Sequence, residues 1–473
     1  MSNTHLDSPL FRTIGAQADA LGLECYVVGG WVRDHLLSRE KGKDVDFVVV
    51  GDAMTVAQNV AKALKAGKVT VFKTYGTAQF RWNDWEVEFV GARSESYHPA
   101  SRNPNVTPGT LHDDQLRRDF TINAMAYCVN ASRFGELLDP FNGREDLAAG
   151  ILRTPVEPEK TFADDPLRIL RAVRFASQLG FQIHEDTLAG MQKAAHRLSI
   201  LTPERISTEL NKVLESPKPS VGFAWMHKAH VLPHVLPEVA ALSGVDEVEG
   251  HLHKDNFWHT LEVVDNLSQV SQNVWHRWAA LLHDIGKPPT KRFQKGTGWT
   301  FHGHEFFGGK MAKKMFKRLA LPLDERMDYV VKLIQMSSRP IAVSSDLATD
   351  SAVRRLLFDA GDAIDDLMQL CEADITTKNP KRKARYLANF QLVREKLVEV
   401  EARDHLRNWQ PPVDGNQLME WFGLGPGREI GTLKTSIREA VLDGQIPNTF
   451  EDARRYAYHL AGEMGLEPKI PLA

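Results

Sequence analysis

The spacing of apolar positions changes near residue 150. Before it, short apolar runs at Tyr26–Val28, Asp44–Val50, Val69–Phe72, Thr77–Trp82 and Val87–Val90 are interleaved with segments of helical spacing such as Ala53–Leu64, which predicts an α/β unit with a small sheet. From about residue 155 the period is helical: Pro166–Leu179, Glu185–Leu198, Pro203–Leu214 and Val221–Ala229 each gather apolar residues on one face, several behind Asp, Thr-Pro or Ser-Pro starts. The rest reads as almost wholly helical, so the expected class is mixed α+β. Punctuation at 215–219, 243–250 and 410–415 divides it into an α/β head (1–150), a helical neck (151–242), a helical body (243–405) and a helical tail (406–473). The segment 93–115 is rich in Ser, Asn, Pro and Gly, includes Tyr97, His98, Pro99, Asn103 and Pro104, and reads as a mobile functional loop.

Composition narrows this only slightly. A chain of 473 residues exceeds one hydrophobic core, so two to four domains are expected. Its net charge of −3 carries no global nucleic-acid signature, and RNA contact would have to come from local basic patches. Cys25, Cys128 and Cys371 lie far apart without CxxC spacing, which argues against a disulfide framework or a thiolate zinc site and for a reducing compartment. No apolar run approaches 18 residues and Met1–Asp7 is polar, so the expectation is a cytoplasmic protein with no membrane partner.

Chemistry enters in the head. Asp44 and Asp46 stand two apart in an apolar strand, so both carboxylates leave the same face, roughly 7 Å apart at Cα. Taken alone the pair also fits a strand end with two solvated carboxylates. Upstream, Gly29 and Gly30 follow one apolar run and open a helical segment with Arg33 in its first turn, an arrangement that can cradle a phosphate. Cradle plus carboxylate pair is the minimum equipment for metal-assisted nucleotidyl transfer, with Mg²⁺ suited to the oxygen donors. Glu86 and Glu88 share a strand face, and Glu88 is the choice for a third carboxylate. Arg117 to Met125 reads Arg-Arg-Asp-Phe-Thr-Ile-Asn-Ala-Met; Asp119 or Thr121 could cap a helix, or the arginines could meet phosphate with Asp119 and Asn123 on ribose or base. In Asp164 to Phe175, Arg168, Arg171 and Arg174 recur every three residues, with Asp165 at the helix start beside Arg168. An Asp and an Arg together offer acceptor and donors enough to read a base edge without a template, although a surface helix with solvated arginines fits the same spacing.

These segments, in this order over roughly residues 25 to 230, resemble the class II nucleotidyltransferases, the bacterial tRNA CCA-adding enzymes and the poly(A) polymerases. Gly29 to Asp34 is similar to that family's Gly-Gly-x-Val-Arg-Asp, Asp44 to Asp46 to its Asp-x-Asp, and Arg117 to Ala124 to its Arg-Arg-Asp-x-Thr-Ile-Asn-Ala. Asp164 to Arg168 resembles its Glu-Asp-x-x-Arg, with Asp164 where Glu is usual. The resemblance implies that Asp44 and Asp46 hold Mg²⁺, that Gly30, Arg33 and Arg118 bind the nucleotide, that Asp165 and Arg168 select CTP or ATP, and that Arg171 and Arg174 meet phosphates or RNA. It also matches Glu88, five residues before Arg93, to the family's third carboxylate. The implied activity is addition of CCA to the 3′ end of tRNA. Poly(A) addition, or addition of part of CCA, is the alternative within the class.

A second chemistry lies downstream. His283-Asp284 sits among Ala279 to Ile285, where apolar neighbours would bury it, and a metal is a suitable partner for a buried imidazole and carboxylate. With His259 upstream and Asp374 downstream, the order resembles HD-domain metal-dependent phosphohydrolases, with His304 as an additional ligand and Mg, Mn, Ni or Fe as the metal. Fusion of such a domain behind a CCA-adding head is an arrangement that family uses. By fold analogy the reaction is hydrolysis of a phosphoester such as a 2′,3′-cyclic phosphate at an RNA end. A phosphohydrolase or an RNA-binding protein with an inactive head is the reading from another class. Lys378, Lys381, Arg382, Lys383 and Arg385, interleaved with Tyr386, form the densest basic run, and Pro426 to Gly431 a C-terminal turn. Each fits an RNA contact or a solvated helix face.

Overall fold

In the computed structural model, which describes residues 6–39, 43–72, 76–96, 105–245, 247–248, 251–252, 255–345, 349–404, 407 and 409–472, the alternating strands pair into one mixed sheet. The head runs α1 (Pro9–Ala20), β1 (Glu24–Val28), α2 (Gly30–Leu36), β2 (Asp44–Val50), α3 (Ala53–Ala63), β3 (Thr70–Phe72), β4 (Thr77–Trp82), β5 (Trp85–Gly91), β6 (Arg93–Ser96), β7 (Asn105–Pro108), α4 (Leu111–Leu116), β8 (Ala126–Cys128), β9 (Leu137–Leu138) and α5 (Gly143–Ala149). The sheet order is β3-β4-β5-β2-β1-β8-β9, and β2 pairs with β5 in parallel while the other neighbours are antiparallel.

Alternation along β2 decides which face does what. Val45, Phe47 and Val49 point to one side, where α1 and α3 cover them. Phe47 lies 5.5 Å from Phe11 and 5.2 Å from Phe89 between ring centroids, and fully burying such a ring contributes roughly 1.5–3 kcal/mol. The opposite face is divided. Val48, Tyr26, Val28, Ala126 and Cys128 form an apolar patch closed by Leu111 of α4, whereas Asp44 and Asp46, on the same face but nearer the strand start, stay open.

The segment anticipated as a loop from 93 to 115 contains an antiparallel ribbon, β6 with β7, followed by α4. Cross-strand pairing satisfies the backbone groups that a purely irregular segment would leave to water. Tyr97, His98, Pro99, Asn103 and Pro104 lie outside the described residues. Arg117 to Asn123 is not a helix: it turns through a short 3₁₀ segment at Thr121–Asn123 directly into β8.

Behind the head come α6 (Pro158–Asp164), α7 (Leu167–Leu179), α8 (Glu185–Ala194), α9 (Pro203–Leu214), α10 (Pro219–Lys228) and α11 (Leu232–Val235), with α7 packed against α9 and α10. The expected helix 185–198 is α-helical only to Ala194 and continues as a 3₁₀ segment, Ala195–Ile200. The chain falls into two compact units, Met1–Pro237 and Glu238–Ala473.

The short α12 (Pro237–Ala240) begins at that division. The second unit continues with α13 (Asn256–Ser268), α14 (Val274–Leu282), α15 (Lys287–Thr290), α16 (His304–Arg318), α17 (Glu325–Met336), α18 (Arg339–Ser345), α19 (Asp350–Ala360), α20 (Ile364–Ala373), α21 (Pro380–Asp404), α22 (Gly415–Phe422), α23 (Arg428–Leu442) and α24 (Phe450–Glu463). Short ribbons, such as Arg292–Gln294 with Gly298–Thr300, interrupt the helices. The last three helices close a core of their own around Leu418, Trp421, Leu433, Ile437 and Ala457. Among the described residues no helix is long and apolar enough to cross a membrane.

Candidate functional sites

Parallel register sets Asp44 opposite Glu86 and Asp46 opposite Glu88, so the sheet itself gathers four carboxylates on one face. Arg81, across β4, pairs with Glu86 and neutralises it. Glu88 instead faces Asp46: its carboxyl is pushed up by burial and then by Asp46, with Arg93 opposing. Asp46, open to solvent as a residue but crowded by protein around its carboxyl, is raised by that desolvation, with Asp44 and Asp114 adding to the rise and Arg118 and Arg171 opposing it. Carboxylates held together against their own repulsion make an all-oxygen donor set, which a hard divalent cation fits.

Two adjoining clefts share Asp46 and Glu88. One, of about 680 Å³, is lined on the acidic side by Asp44, Glu86, Lys68 and Gln79. The other, of about 420 Å³, is lined by Arg93, Arg117 and Arg118. Gly29, at the end of β1 where Val28 is paired with Asp46, adopts φ +75° and ψ −135°, a conformation open to glycine and strained for L side chains. A Cβ there would stand 3.2 Å from Arg118 Nη1 and 4.0 Å from Asp46 Oδ2, so the missing side chain leaves backbone exposed between arginine and carboxylate.

Most of the anticipated nucleotide-binding residues belong to one internal network. Arg33 is buried; its Nη1 donates to Asn123 Oδ1 at 2.8 Å and its Nε to Asp34 Oδ1 at 2.9 Å. Asn123 Nδ2 donates to Asp119 Oδ1 at 3.0 Å, and Arg171 Nε donates to Asp119 Oδ2 at 2.7 Å. Burial would raise the Asp119 carboxyl, but Arg171 and Asn123 more than offset it and bring it down to about 2. Gly30 lies next to this network, since a Cβ added to it would stand 3.6 Å from Arg33 Nη2. Arg168 and Arg174 are buried rather than lying on a solvated surface, so the stripe on α7 is a packed one. Arg168 donates to the carbonyls of Arg117 at 2.6 Å and Thr161 at 3.3 Å, and Arg174 to Glu209 on α9 at 3.1 Å. Asp165 stands at the helix start as expected and accepts from Leu167 N–H at 3.0 Å.

Asp114 escaped the sequence reading. It is fully buried, accepts from Arg118 Nε at 3.1 Å and Nη2 at 2.9 Å, and also pairs with Arg117. The signal was its position three and four residues before the two arginines, the spacing at which helical neighbours meet.

In the second unit, α13 supplies His259, the end of α14 supplies His283 and Asp284, and the end of α20 supplies Asp374. His259 Nε2 lies 2.8 Å from Asp374 Oδ1 and 3.9 Å from Asp284 Oδ2, while His283 Nε2 lies 3.5 Å from Asp284 Oδ2 and 3.7 Å from Asp374 Oδ1. His304, at the start of α16, brings Nε2 to 3.7 Å from Asp284 Oδ1. The opposite ring nitrogens of His283 and His304 meet the carbonyls of Ala280 at 2.7 Å and Phe301 at 2.9 Å, and that of His259 meets Thr376 Oγ1 at 2.9 Å. Donation from Nδ1–H to a carbonyl leaves the lone pair on Nε2, turned toward the carboxylates. His283 Nε2 is buried without a hydrogen-bond partner, and ligand atoms of His259, His283 and Asp284 all lie within 4.8 Å of one another. An orphaned imidazole nitrogen among carboxylates fits a divalent metal. Burial raises Asp374 and Asp284, yet the histidines and Lys287, whose Nζ lies 2.6 Å from Asp284 Oδ2, hold both below the usual carboxylate range. Lys287 was not anticipated.

Comparison with known proteins matches three separate segments of the chain. Residues 25–153 match the family described as Poly A polymerase head domain, 180–242 the one described as probable RNA and SrmB-binding site of polymerase A, and 256–377 the HD domain. The head and HD families imply dependence on a divalent metal. The Multifunctional CCA protein of Shewanella frigidimarina is 35% identical over 382 residues, covering 77% of this chain and 86% of that protein. The A-adding tRNA nucleotidyltransferase of Halalkalibacterium halodurans is 36% identical over 236 residues, 49% of this chain and 54% of that protein. In fold, the chain is similar to the Thermotoga maritima CCA-adding enzyme complexed with tRNA, with a TM-score of 0.61, 22% identity and 97% of each chain covered. The Bacillus stearothermophilus CCA-adding enzyme in complex with CTP gives 0.64 at 23% identity, over 97% of this chain and 99% of that one.

Proposed function

The chain belongs to the family of CCA-adding tRNA nucleotidyltransferases and poly(A) polymerases, and on that premise we propose that it adds C, C and A to the 3′ end of tRNA from CTP and ATP without a nucleic-acid template. The observation that carries the reading is the pair of adjoining clefts that share Asp46 and Glu88, with Asp44 lining one, Arg118 the other, and the bare backbone of Gly29 between Arg118 and Asp46. Asp44 and Asp46 would hold Mg²⁺, with Glu88 as the neighbouring third carboxylate. When bound, the cation supplies positive charge that acidifies the tRNA 3′-hydroxyl and neutralises the triphosphate.

The chain's own groups do the positioning. Arg118, steadied by Asp114, meets the triphosphate where Gly29 and Gly30 let backbone approach. Arg33, Asn123 and Asp119 set the ribose and base end of the site as one hydrogen-bonded chain. Asp165 and Arg168 distinguish CTP from ATP, with the Arg168 guanidinium oriented by two carbonyls, while Arg171 and Arg174, proposed for phosphates or RNA, start from ion pairs with Asp119 and Glu209. The cytoplasm is the compartment in which this substrate is met. Labelled CTP, ATP or both, offered with tRNA lacking its 3′ end, test the reading. Incorporation of C and then one A, abolished in Asp44→Ala, supports it. ATP-only extension without a stop points to poly(A) addition, and A added only after CC to an A-adding enzyme.

For the second unit we infer a metal-dependent phosphohydrolase centre of His259, His283, Asp284 and Asp374, with His304 as an additional ligand and Mg, Mn, Ni or Fe as its metal. The unpartnered, buried His283 Nε2 favours it. Its substrate would be a phosphoester such as a 2′,3′-cyclic phosphate at an RNA end. Water oxygen adds to phosphorus, one ribose P–O bond breaks, and the ribose oxygen leaves as a hydroxyl with one of the water protons. Phosphoester hydrolysis that survives Asp44→Ala and disappears in His283→Ala is the expected result; equal rates in both variants would sink the assignment.

A further inference from the structure

A cleft of about 560 Å³ opens directly from the histidine and carboxylate cluster, with His259, Asp374 and Thr376 at one end and α21 along its side. That volume falls within the roughly 300–1,000 Å³ typical of small-molecule sites. On α21, Arg382, Tyr386, Asn389 and Phe390 are spaced i, i+4, i+7 and i+8, one helix face, and all four line the cleft. The basic run around them is therefore not simply a solvated face: one of its arginines looks into a built cavity.

Charge and shape in the cleft select a ligand class. Its inner end is acidic, since Asp374 lines it beside His259, whose Nε2 lies 2.8 Å from Asp374 Oδ1 and 3.9 Å from Asp284 Oδ2. A phosphate approaching that end needs a cation beside it. Arg382 supplies one on the α21 wall, where its Nη2 donates to the Tyr386 hydroxyl at 3.4 Å. Tyr386 is half-buried and also has the Arg385 guanidinium 5.4 Å from its ring centroid, so an arginine-flanked aromatic face stands next to the charge. The remaining lining includes buried Phe390 and Ile375, an apolar surface that a bare phosphate would not fill. A phosphate joined to a planar, partly apolar group satisfies all three features.

We propose that this cleft is a nucleoside-phosphate site, in which Arg382 pairs with the phosphate beside the metal cluster and Tyr386 stacks on the base. The inference rests on the phosphohydrolase reading of that cluster and adds to it the residues that bind the substrate. Arg382 and Tyr386 are specificity-determining residues in this view and act on binding rather than on bond breaking.

The test is steady-state hydrolysis of adenosine 2′,3′-cyclic phosphate by the full-length protein, with Mg²⁺, Mn²⁺, Ni²⁺ or Fe²⁺ supplied in turn. Arg382→Ala should raise KM about tenfold or more, as expected for loss of one charge-assisted hydrogen bond, with kcat within about threefold. Arg382→Lys should recover part of the loss. Tyr386→Ala should raise KM while Tyr386→Phe does not, because the ring carries the contact. Hydrolysis with unchanged KM in both Arg382→Ala and Tyr386→Ala overturns the proposal and leaves the phosphohydrolase assignment standing. If the wild type hydrolyses nothing with any of the metals, the assignment itself fails. Calorimetry with adenosine 3′-phosphate, under saturating CTP to fill the head, then decides the cleft alone. Binding that Arg382→Ala weakens supports the proposal, and no binding by the wild type overturns it.

Discussion

Asp119 shows how a motif residue takes a role that its neighbours in sequence do not reveal. With Arg171 and Asn123 as partners its carboxyl lies at about 2, below the usual 3.8. A depressed carboxylate stabilises the fold fully above its unfolded value and loses that contribution as pH falls from about 4 toward about 2. Asp119→Asn should therefore reduce the wild type's loss of unfolding free energy between pH 5 and pH 2.5 by about 2 kcal/mol. Identical pH slopes for the two proteins in urea unfolding would refute this. Gly29 is the other residue whose backbone decides its part. Gly29→Ala places a side chain at φ +75°, 3.2 Å from Arg118 Nη1, a strain of order 1–3 kcal/mol that falls on the cleft. Nucleotide incorporation should drop about tenfold or more, beyond what any shift in the unfolding midpoint explains; unchanged incorporation would show that the close approach is not used. The acidic pair and the glycines were visible as residues, but Asp114 and Lys287 were not singled out because their importance is one of burial beside charge.

At the scale of elements, period-2 and period-3.6 patterns located the strands and helices well. β2 and β4 coincide with the anticipated runs, and α9 does too. The pattern fell short where polar composition hid pairing, as in the β6–β7 ribbon, and where arginines at helical spacing fitted a functional stripe and a solvated face equally. On α7 that stripe packs inward: Arg174 is held by Glu209 of α9, with side-chain exposures of 8% and 7%. Glu209→Ala would leave a buried guanidinium uncompensated and should cost about 3–5 kcal/mol, read as an earlier unfolding transition; a shift under about 1 kcal/mol would mean that water replaces the carboxylate. Gly286 sets the approach of the turn after His283-Asp284 to α16, since a Cβ there would fall 2.0 Å from the carbonyl of His304. Gly286→Ala should push His304 away from Asp284 and lower the metal retained after dialysis, measured by elemental analysis. Full retention would remove His304 and this approach from the metal site.

For the whole molecule, division into two compact units, each with its own acidic cluster, predicts separable chemistry. Asp44→Ala should abolish CTP and ATP incorporation while leaving phosphoester hydrolysis, and His283→Ala should do the reverse; loss of both activities in either variant would show that the centres depend on each other. From the chain alone came the class of fold, the order of the pieces, the Asp44–Asp46 pair and the candidates His259, His283, Asp284 and Asp374, because periodicity and residue chemistry are local properties written along the sequence. Tertiary structure decided which carboxylate stands beside Asp46, which arginines are buried, and that Arg382 and Tyr386 line a cleft at the second centre. Those outcomes depend on strand register and on helices distant in sequence meeting in space, which local pattern does not encode.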